Sequence, residues 1–399
     1  MAILNQDKYL YIVTYNKEDS KPPLPQERSG GWPATWTRNW DDKDYWYVEF
    51  IHGDAFYHYP IEKIVPEEVL NKIKSGAITL CLSHAHEAYH CTIESIYKYV
   101  IEKSNIPASS ILYLTNSADI NKEISHVSEI KGLPKFNAEF ISLFELVAKI
   151  EYHKNLGSFA ESGTLRKDHE RKFFCVNGVW RPHRTALISL LHCYDLLNDG
   201  YVSYNTMPHD IPRAEDSFSI LQKMYRDDIT TLGLLSDNRK KLLDLNRIYL
   251  DSTPENHSIS FAHYPNTSKN FYENSYFTVV TESLCNANMS FIGHTLGRTI
   301  SEKTFKPILN LHPFILLAVP GTLKLLKYLG YKTFGPFIDE SYDDENDDGK
   351  RALMIANEVR RLCSLNKTQL DDFLVGCKSI TTHNLQVLLS KETFNHSMT

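Results

Sequence analysis

Arg298-Thr-Ile-Ser-Glu-Lys-Thr-Phe-Lys-Pro307, followed closely by His312-Pro-Phe-Ile-Leu-Leu-Ala-Val-Pro-Gly321, decides how this chain is read. The second segment is a short continuous apolar run, the pattern of a strand buried on both faces. The first reads as a helix whose mouth carries an acid, Glu302, and two lysines, Lys303 and Lys306. A helix start attracts anions through its free amides and its dipole. Glu302 suits ribose hydroxyls and the lysines suit phosphate, so the natural ligand for this mouth is a nucleotide diphosphate. An amphipathic helix with solvated lysines satisfies the same spacing.

Working outward, the same alternation of strand and helix recurs. Apolar runs at 78–82, 110–116 and 136–143 read as strands in the first half, with a helical pattern from Glu94 through Val100. After a polar, Gly-containing stretch at 154–171, read as a linker, strands are expected at 172–177, 276–280 and 313–319. Helical spacing covers 182–197 and 215–250. Strands separated by helices of this length pair in parallel, which predicts two Rossmann-like domains. The expected bounds are 1–155 for an N-terminal domain, 172–375 for a C-terminal domain and 376–399 for a tail or helix.

Bulk properties agree with a folded α/β chain. Of 399 residues, 42% are hydrophobic and 23% charged, enough to build two ordinary cores. No apolar run is long enough to cross a bilayer, and the N-terminus lacks a signal-peptide pattern, so the expected location is cytoplasmic, the host cytoplasm if the chain is viral. Seven cysteines are scattered with no Cys-x-x-Cys pair, which argues against a disulfide framework or a thiolate zinc site and for small buried apolar residues. A net charge of −6 removes the general attraction on which non-specific nucleic-acid binders rely, though a local basic cleft can still hold a polyanion. The acidic run Asp343–Asp348 reads as a solvated loop.

Four further constellations carry chemistry. Asn177-Gly-Val-Trp-Arg-Pro-His-Arg184 stands where a strand turns into a helix, and it aims Arg181 and Arg184 at one mouth. Thr281 and Glu282 follow a strand, at the ligand side of an open sheet. There Glu282 is either a partner for base, sugar or Lys303, or an acid at a helix N-terminus. His84, His86 and His90 invite comparison with a zinc hydrolase, but the aspartate of that pattern is missing and no second ligand cluster follows, so no metal site is assigned. The other use of this loop is a base for an acceptor hydroxyl: Glu87, with His84 and His86 as rivals. Trp32, Trp36, Trp40 and Trp46 crowd one Gly- and Pro-containing stretch, which is either a stacking platform for an acceptor or a satellite hydrophobic cluster.

The Ser301-Glu302-Lys303 helix start before the Pro313-Phe314 strand resembles the donor-binding signature of α1,3-fucosyltransferase-like GT-B glycosyltransferases, and of glycosyltransferases carried by phages and marine bacteria. The likeness runs through Gly321–Phe334 and Asp339–Asp343, roughly the second half of the chain. It implies a GT-B architecture, two Rossmann-like domains facing a central cleft, the N-terminal one for the acceptor and the C-terminal one for the nucleotide-sugar donor, and an inverting hexosyl- or pentosyltransferase. It also implies a UDP-, GDP- or CMP-sugar as co-substrate, with no essential metal. Arg184, and with it Arg181, becomes a diphosphate ligand, the alternative being an arginine that staples its helix to a neighbour. Expected acceptors are a glycan or a hydroxymethylated DNA base. Two other classes remain open: a metal-dependent hydrolase on His84, His86 and His90, and a non-catalytic nucleotide-sugar-binding module.

Overall fold

The computed structural model describes residues 13–15, 44–50, 60–84, 91–154, 159, 169–178, 180–205, 217–250, 269–285 and 297–390. Among them the chain forms two units of α/β type. The first comprises described residues of Met1–Leu143 with the short return 297–299, and the second those of Phe144–Thr295 and Ile300–Ser390.

The first unit is built on a fully parallel sheet in sequential order: β1 (Val13–Tyr15), β2 (Asp44–Phe50), β3 (Ile78–His84), β4 (Ile111–Thr115) and β5 (Asn137–Phe140). Helices α1 (Glu67–Lys74) and α2 (Ile120–Lys131), with the π-helix Ile96–Lys103, send Ile73, Ile96, Val100, Ile120 and Ile124 onto one face of it, where they meet Leu80, Leu82, Ile111 and Tyr113. The opposite face carries a smaller cluster of Cys81, Leu112 and Leu114. The tryptophan-rich reading needs one correction. Trp46 is not part of a surface platform: it lies on β2 opposite Leu80 and is buried in the main core. Asp44-Tyr-Trp-Tyr-Val-Glu-Phe50 is an aromatic, β-branched run that suits a pleated strand. Trp32, Trp36 and Trp40 lie outside the described residues.

Arg298 belongs to this first unit. Its Nε and Nη2 reach the two oxygens of Asp119 at 2.8 and 2.7 Å. Burial pushes the Asp119 carboxyl up, but the hydrogen bonds and charge of Arg298 overcome it and hold it at about 2. Beside it, burial raises Glu123 to about 7 against a 2.7 Å hydrogen bond from Ser117. A Cβ on Gly297 would fall 1.9 Å from the Ser117 hydroxyl, so only glycine passes here.

The second unit has the parallel strand order β7-β6-β8-β9, with β6 (Phe173–Cys175), β7 (Gly200–Val202), β8 (Phe277–Thr281) and β9 (Phe314–Leu317). From β6 the chain steps outward to β7 and then crosses back to β8 on the other side. The order therefore reverses between β6 and β8, and this is the topological switch point where open α/β sheets leave a crevice at their carboxyl ends. The first sheet, ordered 1 to 5, has no such reversal among its described strands. Around the second sheet lie α4 (Pro182–Cys193), α5 (Glu302–Leu309), α6 (Thr322–Tyr328), α7 (Asp348–Cys363) and the long α8 (Lys367–Ser390), while α3 (Leu143–Lys154) opens the unit. No described helix is long and apolar enough to cross a membrane. Six cysteines, Cys81, Cys175, Cys193, Cys285, Cys363 and Cys377, are free and buried.

The acidic run is not a wholly solvated loop. Asp343 is buried, and its carboxylate accepts from the amides of Leu323 (3.0 Å) and Lys324 (3.3 Å), so it caps α6 from a distance in sequence. Asp347 caps α7 through the Lys350 amide, and Asp348 pairs with the buried Arg351. Asp344, paired with Lys324 in the open, behaves as the run's composition suggests. Asp343→Ala should lower stability by about 1–2 kcal/mol, the worth of a helix cap. Asp344→Ala should cost less than about 0.5 kcal/mol. Paired urea-unfolding curves of the two variants check the contrast.

Candidate functional site

The carboxyl ends of β6 and β8 hold the residues that the sequence singles out. Thr281 ends β8, and its hydroxyl donates to Asn177 Oδ1 at 2.7 Å, just beyond β6. The Asn177 amide nitrogen reaches the Ser203 carbonyl, and its main-chain N–H donates to the Ser203 hydroxyl at 3.0 Å. The ends of β7, β6 and β8 are thus laced together at the switch point by neutral hydrogen bonds. A single asparagine reaches both neighbours because its side chain donates and accepts at once.

Glu282, the next residue, is fully buried, and its carboxylate is fully engaged. Oε1 accepts from the Ser301 amide (3.0 Å) and the Thr304 hydroxyl (2.5 Å). Oε2 accepts from the Ser301 hydroxyl (2.5 Å) and the Ser283 amide (3.2 Å). Four donors fill the capacity of an ionised carboxylate. Ser301 is itself the N-cap of α5, accepting from the Lys303 amide, so Glu282 holds the opening turn of that helix from below. This is the helix-terminal use of Glu282 among the alternatives its position allows.

Arg184 is almost wholly buried and turns inward, donating to the carbonyls of Thr281 (3.1 Å) and Glu282 (3.2 Å). Burial, then the charge of Arg181, draws its guanidinium down to about 10, still protonated at neutral pH. It staples α4 to the end of β8. His183, the preceding residue, donates from Nε2 to the same Glu282 carbonyl at 2.9 Å. Burial and the Arg184 charge hold its pKa down at about 3, so the ring is neutral.

The outward layer is formed by Arg181, Glu302, Lys303 and Lys306. Lys303 Nζ lies 2.6 Å from Glu302, 3.0 Å from the Ser283 hydroxyl and 3.3 Å from that of Ser301. Burial works to raise the Glu302 carboxyl, and the charges of Lys303 and Lys306 overcome it, keeping it ionised below its ordinary value. Arg181, half-buried, spends one nitrogen on the Trp180 carbonyl. Arg181, Arg184, Lys303 and Lys306 against Glu282 and Glu302, with His183 neutral, leave an excess of two positive charges. The arrangement can therefore neutralise a ligand of charge −2 at a helix start.

All eight donor-side residues named from sequence, Arg181, Arg184, Thr281, Glu282, Ser301, Glu302, Lys303 and Lys306, fall in this one neighbourhood. Sequence reading missed Asn177, His183, Ser203, Ser283 and Thr304 as parts of it. In the first unit His84 ends β3, fully buried, with Nδ1 3.2 Å from the Thr92 hydroxyl. His86, Glu87 and His90 lie outside the described residues. Among the described residues no group of three or more His, Cys, Asp or Glu is placed to hold a metal ion.

No protein-family model matches the chain, and no curated protein matches it. Among solved structures it is similar to an α,α-trehalose-phosphate synthase (UDP-forming) from Burkholderia vietnamiensis, with 12% identity and a TM-score of 0.38 over 87% of this chain and 71% of that one.

Two outcomes follow from the geometry. Glu282→Ala strands the Ser301 and Ser283 amides and two hydroxyls in a buried place, and should destabilise the fold by about 3–5 kcal/mol, read by thermal or urea unfolding. Acid should weaken the fold through His183 and His312, whose pKa values are held at about 3 and about 4, largely by burial. Below the unfolded value near 6.5 the unfolded chain takes up protons that the folded chain refuses, so stability is full above that value and falls as pH drops toward 4. On the order of 2 kcal/mol per histidine should be lost between pH 7 and 5, and His312→Gln should flatten that slope.

Proposed function

We propose that the chain is a nucleotide-sugar-dependent glycosyltransferase, with its donor bound at the switch point of the second sheet. The observation that carries this reading is the excess of two positive charges over the first turn of α5, which suits the two negative charges on the diphosphate of a nucleotide-sugar. Lys303, Lys306 and Arg181 meet the phosphates, and the ionised Glu302 accepts hydrogen bonds from the ribose hydroxyls. Arg184, Glu282 and Ser301 hold these groups in place from below. In glycosyl transfer the diphosphate gains charge as the bond from the sugar breaks. Cations held in place around the fully engaged Glu282 carboxylate stabilise that charge with little reorganisation. The sugar passes to a hydroxyl of an acceptor, with inversion at the anomeric carbon.

Thermal-shift measurements with UDP, GDP and CMP and their common sugar conjugates test the reading. One nucleotide class should raise the melting temperature by mass action, and its apparent affinity should fall about tenfold or more in Lys303→Ala and in Arg181→Ala. A chain that none of these ligands stabilises, or one whose stabilisation survives both substitutions, would overturn it.

A further inference from the structure

A second binding place lies elsewhere in the second unit, along the outer edge of β7. The segments 195–204 and 241–248 are pinned together twice. At one end Lys241 forms an ion pair with Asp195, and at the other Tyr204 and Ile248 exchange main-chain hydrogen bonds of 3.0 and 2.9 Å. Between the two pins the segments part around a cavity of about 550 Å³, within the range of small-molecule sites.

Among the described residues, its floor is the free side of a sheet. Asp199 and Ser203 direct their main-chain groups toward β6, through Lys172 N to Asp199 O and Ser203 N to Cys175 O. By the alternation of a strand, Gly200 and Val202 point their amides and carbonyls the other way, as Tyr204 does toward Ile248, and both line the cavity. Glycine is required at 200, because a Cβ there would lie 2.5 Å from the Phe173 ring.

The walls set the ligand's chemistry. Asp195 is paired with Lys241 and Glu170 accepts from the Tyr201 hydroxyl, so the three cations Arg171, Lys241 and Arg247 stand against the three acids Glu170, Asp195 and Asp244, and the surroundings of the cavity, unlike the α5 cluster, have no excess charge for an anion to neutralise. Asn198 and Asn246 add amide donors and acceptors, and Leu245, Ile248 and Leu250 add aliphatic surface. Planar groups that donate and accept, set around an apolar patch and main-chain edge groups, match a neutral ligand with many hydroxyls on one side and C–H surface on the other. We infer that this cavity binds a neutral saccharide, at a site separate from the diphosphate cluster on the carboxyl ends of β6 and β8.

Saturation-transfer NMR on the full chain with maltose, cellobiose, lactose and N,N′-diacetylchitobiose, and with 3′-sialyllactose as the charged counterpart, tests the inference. At least one neutral disaccharide should bind, and its affinity should drop about tenfold in Asn198→Ala/Asn246→Ala, where both side chains are exposed and carry no core. Leu250→Trp, which fills the cavity, should abolish the signal, and Lys303→Ala should leave it in place. Should Leu250→Trp fail to fold, the asparagine pair decides. Absence of signal from every neutral disaccharide, stronger binding of sialyllactose, or a signal indifferent to the asparagine pair would each overturn the assignment.

Discussion

A single buried carboxylate organises the second unit. Glu282 accepts from four donors, two of them main-chain amides, and its own amide and carbonyl are bonded to Leu317, His183 and Arg184. A buried charge of this kind is costly unless every lone pair is met, and here the partners come from three separate stretches of chain. Because the network is complete, the first turn of α5 and the ends of β8 and α4 hold one relative arrangement. The negative charge also lies under the positive end of α5, where the helix dipole favours it.

The topology explains why such a network forms at this place. In a sheet of order β7-β6-β8-β9, the loops after β6 and β8 leave on opposite sides and open a gap. Asn177 and Thr281 bridge the floor of that gap with a neutral hydrogen bond, and the charged side chains rise above it. The division is consistent: the layer nearest the sheet is hydrogen-bonded and structural, while Lys303, held by Glu302, Ser283 and Ser301, and Arg181, with one nitrogen spent on a carbonyl, sit one residue layer farther out.

Much of the fold was legible because buried parallel strands are continuous apolar runs. Ile111–Thr115 and Phe314–Leu317 announce themselves in this way. β7 does not, since Gly-Tyr-Val is too short to show a period, and β2 was obscured by the tryptophans that precede it. Of the site, the charged residues were readable from their place after strands and at a helix mouth. The direction each one faces was not. Whether Arg184 turns inward or outward depends on the Thr281 and Glu282 carbonyls, nearly a hundred residues away in sequence. Thr304 and Ser203 have no local signal at all, since a hydroxyl becomes informative only when its distant partner is known. Asp343 teaches the same point from the other side: a charge run predicts solvation on average, yet one member of it caps a helix inside.

Charge balance distinguishes the two polar regions of this unit more sharply than their residue types do. Both contain arginine, acid and amide side chains, and both border the same four-stranded sheet. At the carboxyl ends, the two carboxylates are absorbed by α5 and its lysines, and a net positive charge is left over. Along the β7 edge, cations and carboxylates are equal in number and the surplus is hydrogen-bonding capacity. An anion would leave the acids there unbalanced, whereas a neutral polyol leaves the pairs intact and satisfies the edge of the strand. A ligand carrying a diphosphate and a ligand carrying only hydroxyls call for different electrostatics, and the two regions differ in that respect.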